Sequence, residues 1–171
     1  MSISARVGLL FLSSLFVTIF ALEGEQSQNK LNEVNIKKVL LIGKGFNRKF
    51  NCLHISPEKS SKLKAIYIDV RSIDEQNVSR LPNAITSQEF EKNPTKYKGL
   101  NLVAYCTVGY RSGLFAKKYN KYNVYNLTGG VLAWSHKGGK FFDGKTETKR
   151  VHVYNSEWNF LHNDYIAVWK K

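Results

Sequence analysis

One stretch of this 171-residue chain stands out chemically: Asn101-Leu-Val-Ala-Tyr-Cys106-Thr-Val-Gly109-Tyr-Arg111-Ser112. A thiol closes an apolar run, a glycine follows three residues later, and an arginine follows two residues after that. Leu100–Tyr105 is short, apolar and β-rich, so it reads as a buried strand, and Ser112–Tyr122 carries Leu114, Phe115, Tyr119 and Tyr122 on one helical face. In an open α/β sheet the carboxyl end of a strand is where ligands bind. A loop running into a helix aims backbone N–H groups and the positive end of the helix dipole at that point. A cysteine placed there, with Arg111 nearby, is positioned to hold a thiolate and to act as a nucleophile. Gly109 suits a tight loop, because turning N–H groups inward calls for positive φ.

The elements that must carry this loop are legible on either side of it. Ala65-Ile-Tyr-Ile68 reads as a second buried strand, and Val124-Tyr-Asn-Leu127, closed by Gly129-Gly130, as a third. Strand, helix, strand in that order predicts a parallel sheet with crossover helices. Residues 23–53 begin polar, pass through Val39-Leu-Leu-Ile42 and end basic, which predicts an irregular N-terminal extension. Residues 138–171 read as a C-terminal extension packing on the domain, with Trp158, Phe160 and Trp169 as aromatic anchors.

With these elements placed, residues 54–137 resemble the rhodanese family, on three landmarks in order. Cys106, Gly109, Arg111 and Ser112 match its Cys-x-x-Gly-x-Arg-Ser loop. Ile68-Asp69-Val70-Arg71, then Glu75 and Ser79-Arg80-Leu81-Pro82-Asn83-Ala84-Ile85, is similar to its Asp-Val-Arg strand end and following turn. Asn126-Leu-Thr-Gly129-Gly130-Val-Leu-Ala-Trp134 is similar to its closing segment. Ser79 and Arg80 depart from the glycine and histidine usual in that turn.

The resemblance implies an α/β, three-layer rhodanese-like fold, with a central, mainly parallel sheet and helices on both faces. It implies a thiosulfate or thiol sulfurtransferase in which Cys106 takes a sulfane sulfur as a persulfide and passes it to cyanide or a thiol. Cys106 and Arg111 would be catalytic, and Thr107, Val108, Gly109, Tyr110, Ser112, Asp69 and Arg71 would bind substrate. Asp69 and Arg71 have a plainer alternative: pairing with each other or with the loop from a strand end. Phosphatases related to this family place arginine six residues after the cysteine, whereas Arg111 is five after Cys106. The smaller cradle fits a sulfur better than a phosphoryl group. The competing reading is a non-catalytic rhodanese-fold binding module of the secretory pathway. No metal or organic cofactor is implied, and His54, His136, His152 and His162 lack metal-ligand spacing.

Composition bounds the remaining readings. Ten Phe, nine Tyr and three Trp argue for a packed domain rather than a disordered chain. Two cysteines are too few for a disulfide scaffold. The net charge is +13, spread without a basic stripe interleaved with aromatics, so the partners expected are a small donor and acceptor, with weak contact to anionic surfaces and no nucleic acid. A monomer is expected. Val7–Leu22 is an uncharged apolar run ahead of Glu23, which predicts a signal peptide over residues 1–22 and a secreted or secretory-lumen protein. An uncleaved membrane anchor is the alternative. In that compartment Asn77 and Asn126 become glycan acceptors, and Cys52 is either an inert thiol or a disulfide partner for Cys106.

Overall fold

The computed structural model describes residues 3–169, with side chains described from Ala21 onward. The leader reading rests almost wholly on side chains outside the described residues. Among the described residues no helix is long and apolar enough to cross a membrane.

A five-stranded sheet forms the centre. Its strands are β1 (His54–Ile55), β2 (Ala65–Asp69), β3 (Ala84–Thr86), β4 (Asn101–Tyr105) and β5 (Tyr125–Leu127), in the spatial order β1-β5-β4-β2-β3. Every pairing in it is parallel. Alternation along the strands sends side chains to opposite faces. Tyr67, Val103 and Tyr105 enter one apolar cluster with Val131, Leu132 and Trp134, while Ile68, Leu102 and Ala104 enter another with Phe90 and Phe115. Parallel strands need crossovers, and the helices supplying them cover both faces. These are α2 (Pro57–Ser60), α3 (Ile73–Val78), α4 (Ser87–Lys92), α5 (Tyr110–Lys118) and α6 (Gly130–His136), all following α1 (Ile3–Phe50) at the start of the chain.

Two expectations are corrected. Residues 23–50 are not irregular but belong to the continuous helix α1. Asn32, Val39, Gly43, Asn47 and Phe50 recur at helical spacing and are buried, so the stripe that docks α1 is built partly from polar and small residues. Helix α5 starts at Tyr110, two residues earlier than the sequence suggests, and ends at Lys118, with a 3-10 turn over Asn120–Tyr122.

The C-terminal segment forms two small sheets. β6 (Phe141–Asp143) and β7 (Thr146–Thr148) make an antiparallel hairpin, and β8 (Arg150–His152) and β9 (Ile166–Val168) pair in parallel. Phe141, Val151, Val153 and Leu161 are buried in the same cluster as Trp134, and Trp158, Phe160 and Trp169 pack against it.

Candidate active site

Cys106 follows the last residue of β4, the middle strand of the sheet, and is 2% exposed. The Gly109 N–H donates to Sγ at 3.2 Å and the Ser112 hydroxyl at 3.4 Å. Gly109 has φ +109 and sits at the N-terminus of α5, so the helix dipole adds to what these donors provide for a sulfur anion. The loop is held from the other side by α6. Val131 N–H donates to the Cys106 carbonyl at 2.9 Å and Leu132 N–H to that of Thr107 at 3.2 Å. This approach requires Gly130, where φ is +55 and a Cβ would stand 2.2 Å from the Cys106 carbonyl oxygen.

Arg111 stands beside the sulfur and pairs with a carboxylate. Its Nη1 and Nη2 donate to Glu75 Oε2 and Oε1 at 2.6 and 2.7 Å, and Nη2 also reaches Thr107 Oγ1 at 3.2 Å. Glu75 is fixed in turn by a capping box at the start of α3, accepting from the Ser72 N–H at 2.9 Å. Burial pushes the Glu75 carboxyl up, but the Arg111 hydrogen bonds and the Ser72 N–H outweigh it and hold it at about 2. Burial likewise opposes the charge on Arg111, and the bonds to Glu75, together with the charge of Cys106 and a hydrogen bond to it, raise it overall. The guanidinium is therefore held in a bidentate pair with Glu75 while it stays beside Cys106, so its charge is shared between carboxylate and sulfur.

Asp69 and Arg71 lie outside the cleft. Their side chains are wholly buried and paired, Nε to Oδ1 at 2.9 Å and Nη2 to Oδ2 at 2.7 Å, and Arg71 Nη2 also donates to the Ser79 carbonyl. The Tyr105 hydroxyl donates to Asp69 Oδ2 at 2.5 Å and accepts from Leu81 N–H. Burial, then the Asp69 charge, push the Tyr105 hydroxyl well above its ordinary range, so it stays a neutral donor. This corrects the substrate-binding expectation for both residues. They brace the turn after β2, with their side chains buried and paired rather than facing the cleft.

Cys106, Thr107, Val108, Tyr110 and Arg111 line a cleft of about 370 Å³, whose remaining walls are Phe46 from α1 and Tyr154 and Trp158 from the C-terminal segment. Gly109 and Ser112 hold the sulfur from behind. Phe46 and Phe50 meet the Tyr110 ring edge-on, each at 5.2 Å between centroids. Below them Asn126 Nδ2 donates both to Asn47 Oδ1 at 2.8 Å and to the Gly109 carbonyl at 3.1 Å, linking α1 to the loop. Phe46, Asn47, Tyr154 and Glu75 were not singled out for these roles, because each acts through a contact distant in sequence. Cys52 and Cys106 are both free thiols. Asn126 is fully buried, so it offers no acceptor to a glycan in the folded chain, whereas Asn77 is exposed. Among the described residues no group of His, Cys, Asp or Glu could hold a metal ion.

The family described as Rhodanese-like domain matches residues 57–137. The chain carries a rhodanese-like domain. No curated protein matches the chain. Among solved structures it is similar to a rhodanese-related protein from Thermoplasma volcanium, at 18% identity over 53% of this chain and 98% of that one, with a TM-score of 0.47. A thiosulfate sulfurtransferase from Pseudomonas aeruginosa is similar at 16% identity over 72% of this chain but only 26% of that one, with a TM-score of 0.49. A Rhodopseudomonas palustris protein of unknown function, described as a possible tyrosine phosphatase, is similar at 21% identity over 61% of this chain and 91% of that one, with a TM-score of 0.43. The rhodanese-like domain holds Cys106 and its loop, Glu75 and the Gly129-Gly130 turn. Helix α1 and the C-terminal segment after residue 137, which supply Phe46, Tyr154 and Trp158, lie outside the match.

Proposed function

We propose that the protein is a sulfurtransferase working through a persulfide on Cys106. The observation that carries this reading is the Sγ atom held by Gly109 N–H and Ser112 Oγ at the floor of an open cleft. Thiolate Cys106 attacks the outer sulfur of thiosulfate; the S–S bond breaks, sulfite leaves with the electron pair, and Cys106–S–S⁻ remains. A thiophilic acceptor, cyanide or a thiol, then removes the terminal sulfur and returns the thiolate. The loop and dipole stabilise the same negative charge in both half-reactions.

Thiosulfate or mercaptopyruvate should add one sulfur mass to the wild type and to Cys52→Ser, and none to Cys106→Ser. An adduct confined to Cys52 overturns the assignment. The near-complete burial of Cys106 and the commitment of Arg111 to Glu75 favour a second reading, a non-catalytic binding module. That reading takes over if no adduct forms on either thiol. The uncharged apolar run Val7–Leu22 supports a secreted or secretory-lumen setting, with membrane anchorage by an uncleaved leader as the alternative. The mass of the mature chain in the same spectrum separates the two.

A further inference from the structure

We infer that the acceptor is a small uncharged thiol carrying an aromatic or bulky apolar group, an inference that rests on the sulfurtransferase reading and names its second substrate. The cleft over Cys106 is walled by Phe46, Val108, Tyr110, Tyr154 and Trp158. Arg111 is the one charged side chain among its described lining residues, and Glu75 already holds it in a bidentate pair. Lys49 lies over the Phe50 and Tyr110 rings rather than in the cleft. An anionic thiol entering here sheds water and meets only a guanidinium already paired with Glu75, which makes it the poorer acceptor of the two. An apolar group instead gains by burying its surface against four aromatic rings.

Size agrees with this. A cavity of about 150 Å³ is enough to hold benzene, so about 370 Å³ accommodates an arene together with the methylene and thiol that reach the sulfur. With the ring among Phe46, Tyr110 and Trp158, the acceptor sulfur faces the floor where the persulfide stands. The acceptor thiolate attacks the outer sulfur of Cys106–S–SH, the Cys106 S–S bond breaks, and its electron pair returns to Sγ. The products are the acceptor persulfide R–S–SH and the Cys106 thiolate, with no net oxidant or reductant consumed.

The test uses the full chain loaded with polysulfide, desalted, and followed by intact mass as the added sulfur is lost to either of two thiols of similar basicity. These are benzyl mercaptan, which is uncharged and aromatic, and 2-mercaptoethanesulfonate, which is anionic. Each rate is divided by the rate at which the same thiol takes sulfur from a free cysteine persulfide, removing intrinsic reactivity. The normalised ratio should favour benzyl mercaptan at least tenfold in the wild type. Trp158→Ala and Tyr154→Ala, which leave the loop and Cys106 untouched, should each lower that ratio at least threefold, with every rate expressed per loaded molecule so that the extent of loading drops out. Tyr154 is 65% exposed, so its truncation leaves the core intact. Full loading with a ratio within twofold of unity refutes the acceptor class and leaves the sulfurtransferase reading standing, as does a tenfold ratio that neither variant changes. Failure of Cys106 to load refutes the sulfurtransferase reading, and the acceptor inference falls with it.

Discussion

Replacing Glu75 with glutamine isolates the ion pair that holds the arginine of the cysteine loop. The carboxyl moves from an ordinary value of 4.5 to about 2 on folding, so its ionised form contributes at most ~3 kcal/mol at neutral pH. The Arg111 side chain is 34% exposed, and solvent screening at that end brings the figure to about 2 kcal/mol. The sign follows from the direction of the shift. A carboxyl depressed in the fold stabilises above its unfolded value and loses that contribution as pH falls through 4.5 toward 2. Urea unfolding of wild type and Glu75→Gln should therefore differ by about 2 kcal/mol at pH 7, and the gap should narrow steadily below pH 4.5. A gap that stays the same from pH 7 to pH 3.5 would refute the reasoning, since it would show that shape or hydrogen bonding, rather than charge, makes Glu75 matter.

Other outcomes can be checked alongside. Gly130→Ala puts a Cβ against the Cys106 carbonyl at positive φ; beyond the ~1–2 kcal/mol backbone cost it should displace the loop, lowering the thermal midpoint and abolishing persulfide formation. Tyr105→Phe removes a donor to buried Asp69 and an acceptor for Leu81 N–H, so it should cost about 1–3 kcal/mol in urea unfolding while the persulfide still forms. Releasing Arg111 from its carboxylate should favour charged partners: Glu75→Gln should raise the normalised rate with 2-mercaptoethanesulfonate relative to benzyl mercaptan, read from the same mass time course. In protein secreted from eukaryotic cells, peptide mapping should find glycan on exposed Asn77 and none on buried Asn126.

What could be read from sequence and what could not divides along contact distance. The strands around Ala65–Ile68 and Leu100–Tyr105 announce themselves as short β-rich runs, and the loop by its Cys106, Gly109 and Arg111 spacing, because those signals are local. Helix α1 hides because Asn32, Gly43 and Asn47 interrupt its apolar stripe. Each is there for a tertiary reason: Asn32 bonds to His162 and Asn163, Gly43 lies where a Cβ would be 2.5 Å from Gly129 N, and Asn47 bonds to Thr128 and Asn126. The partner of Arg111 is 36 residues upstream, and two walls of the cleft come from beyond residue 150. No periodicity in a one-dimensional pattern records such meetings.

The anchoring of α1 also bears on how the chain is assembled. The helix comes first in synthesis, yet its hydrogen-bonding partners lie 79 to 131 residues further along. At a ribosomal pace of 5–20 residues per second, the span from Asn32 to Asn163 takes roughly 6–25 s to appear. For most of that interval, until residues 126–129 have emerged, the buried stripe of α1 lacks these partners. Its closure onto Asn126, Thr128 and Gly129 waits for β5 and the turn into α6, a long-range event of the kind that slows folding. The cradle around Gly109 accordingly takes its final shape late, after the sheet that bears the cysteine is already built.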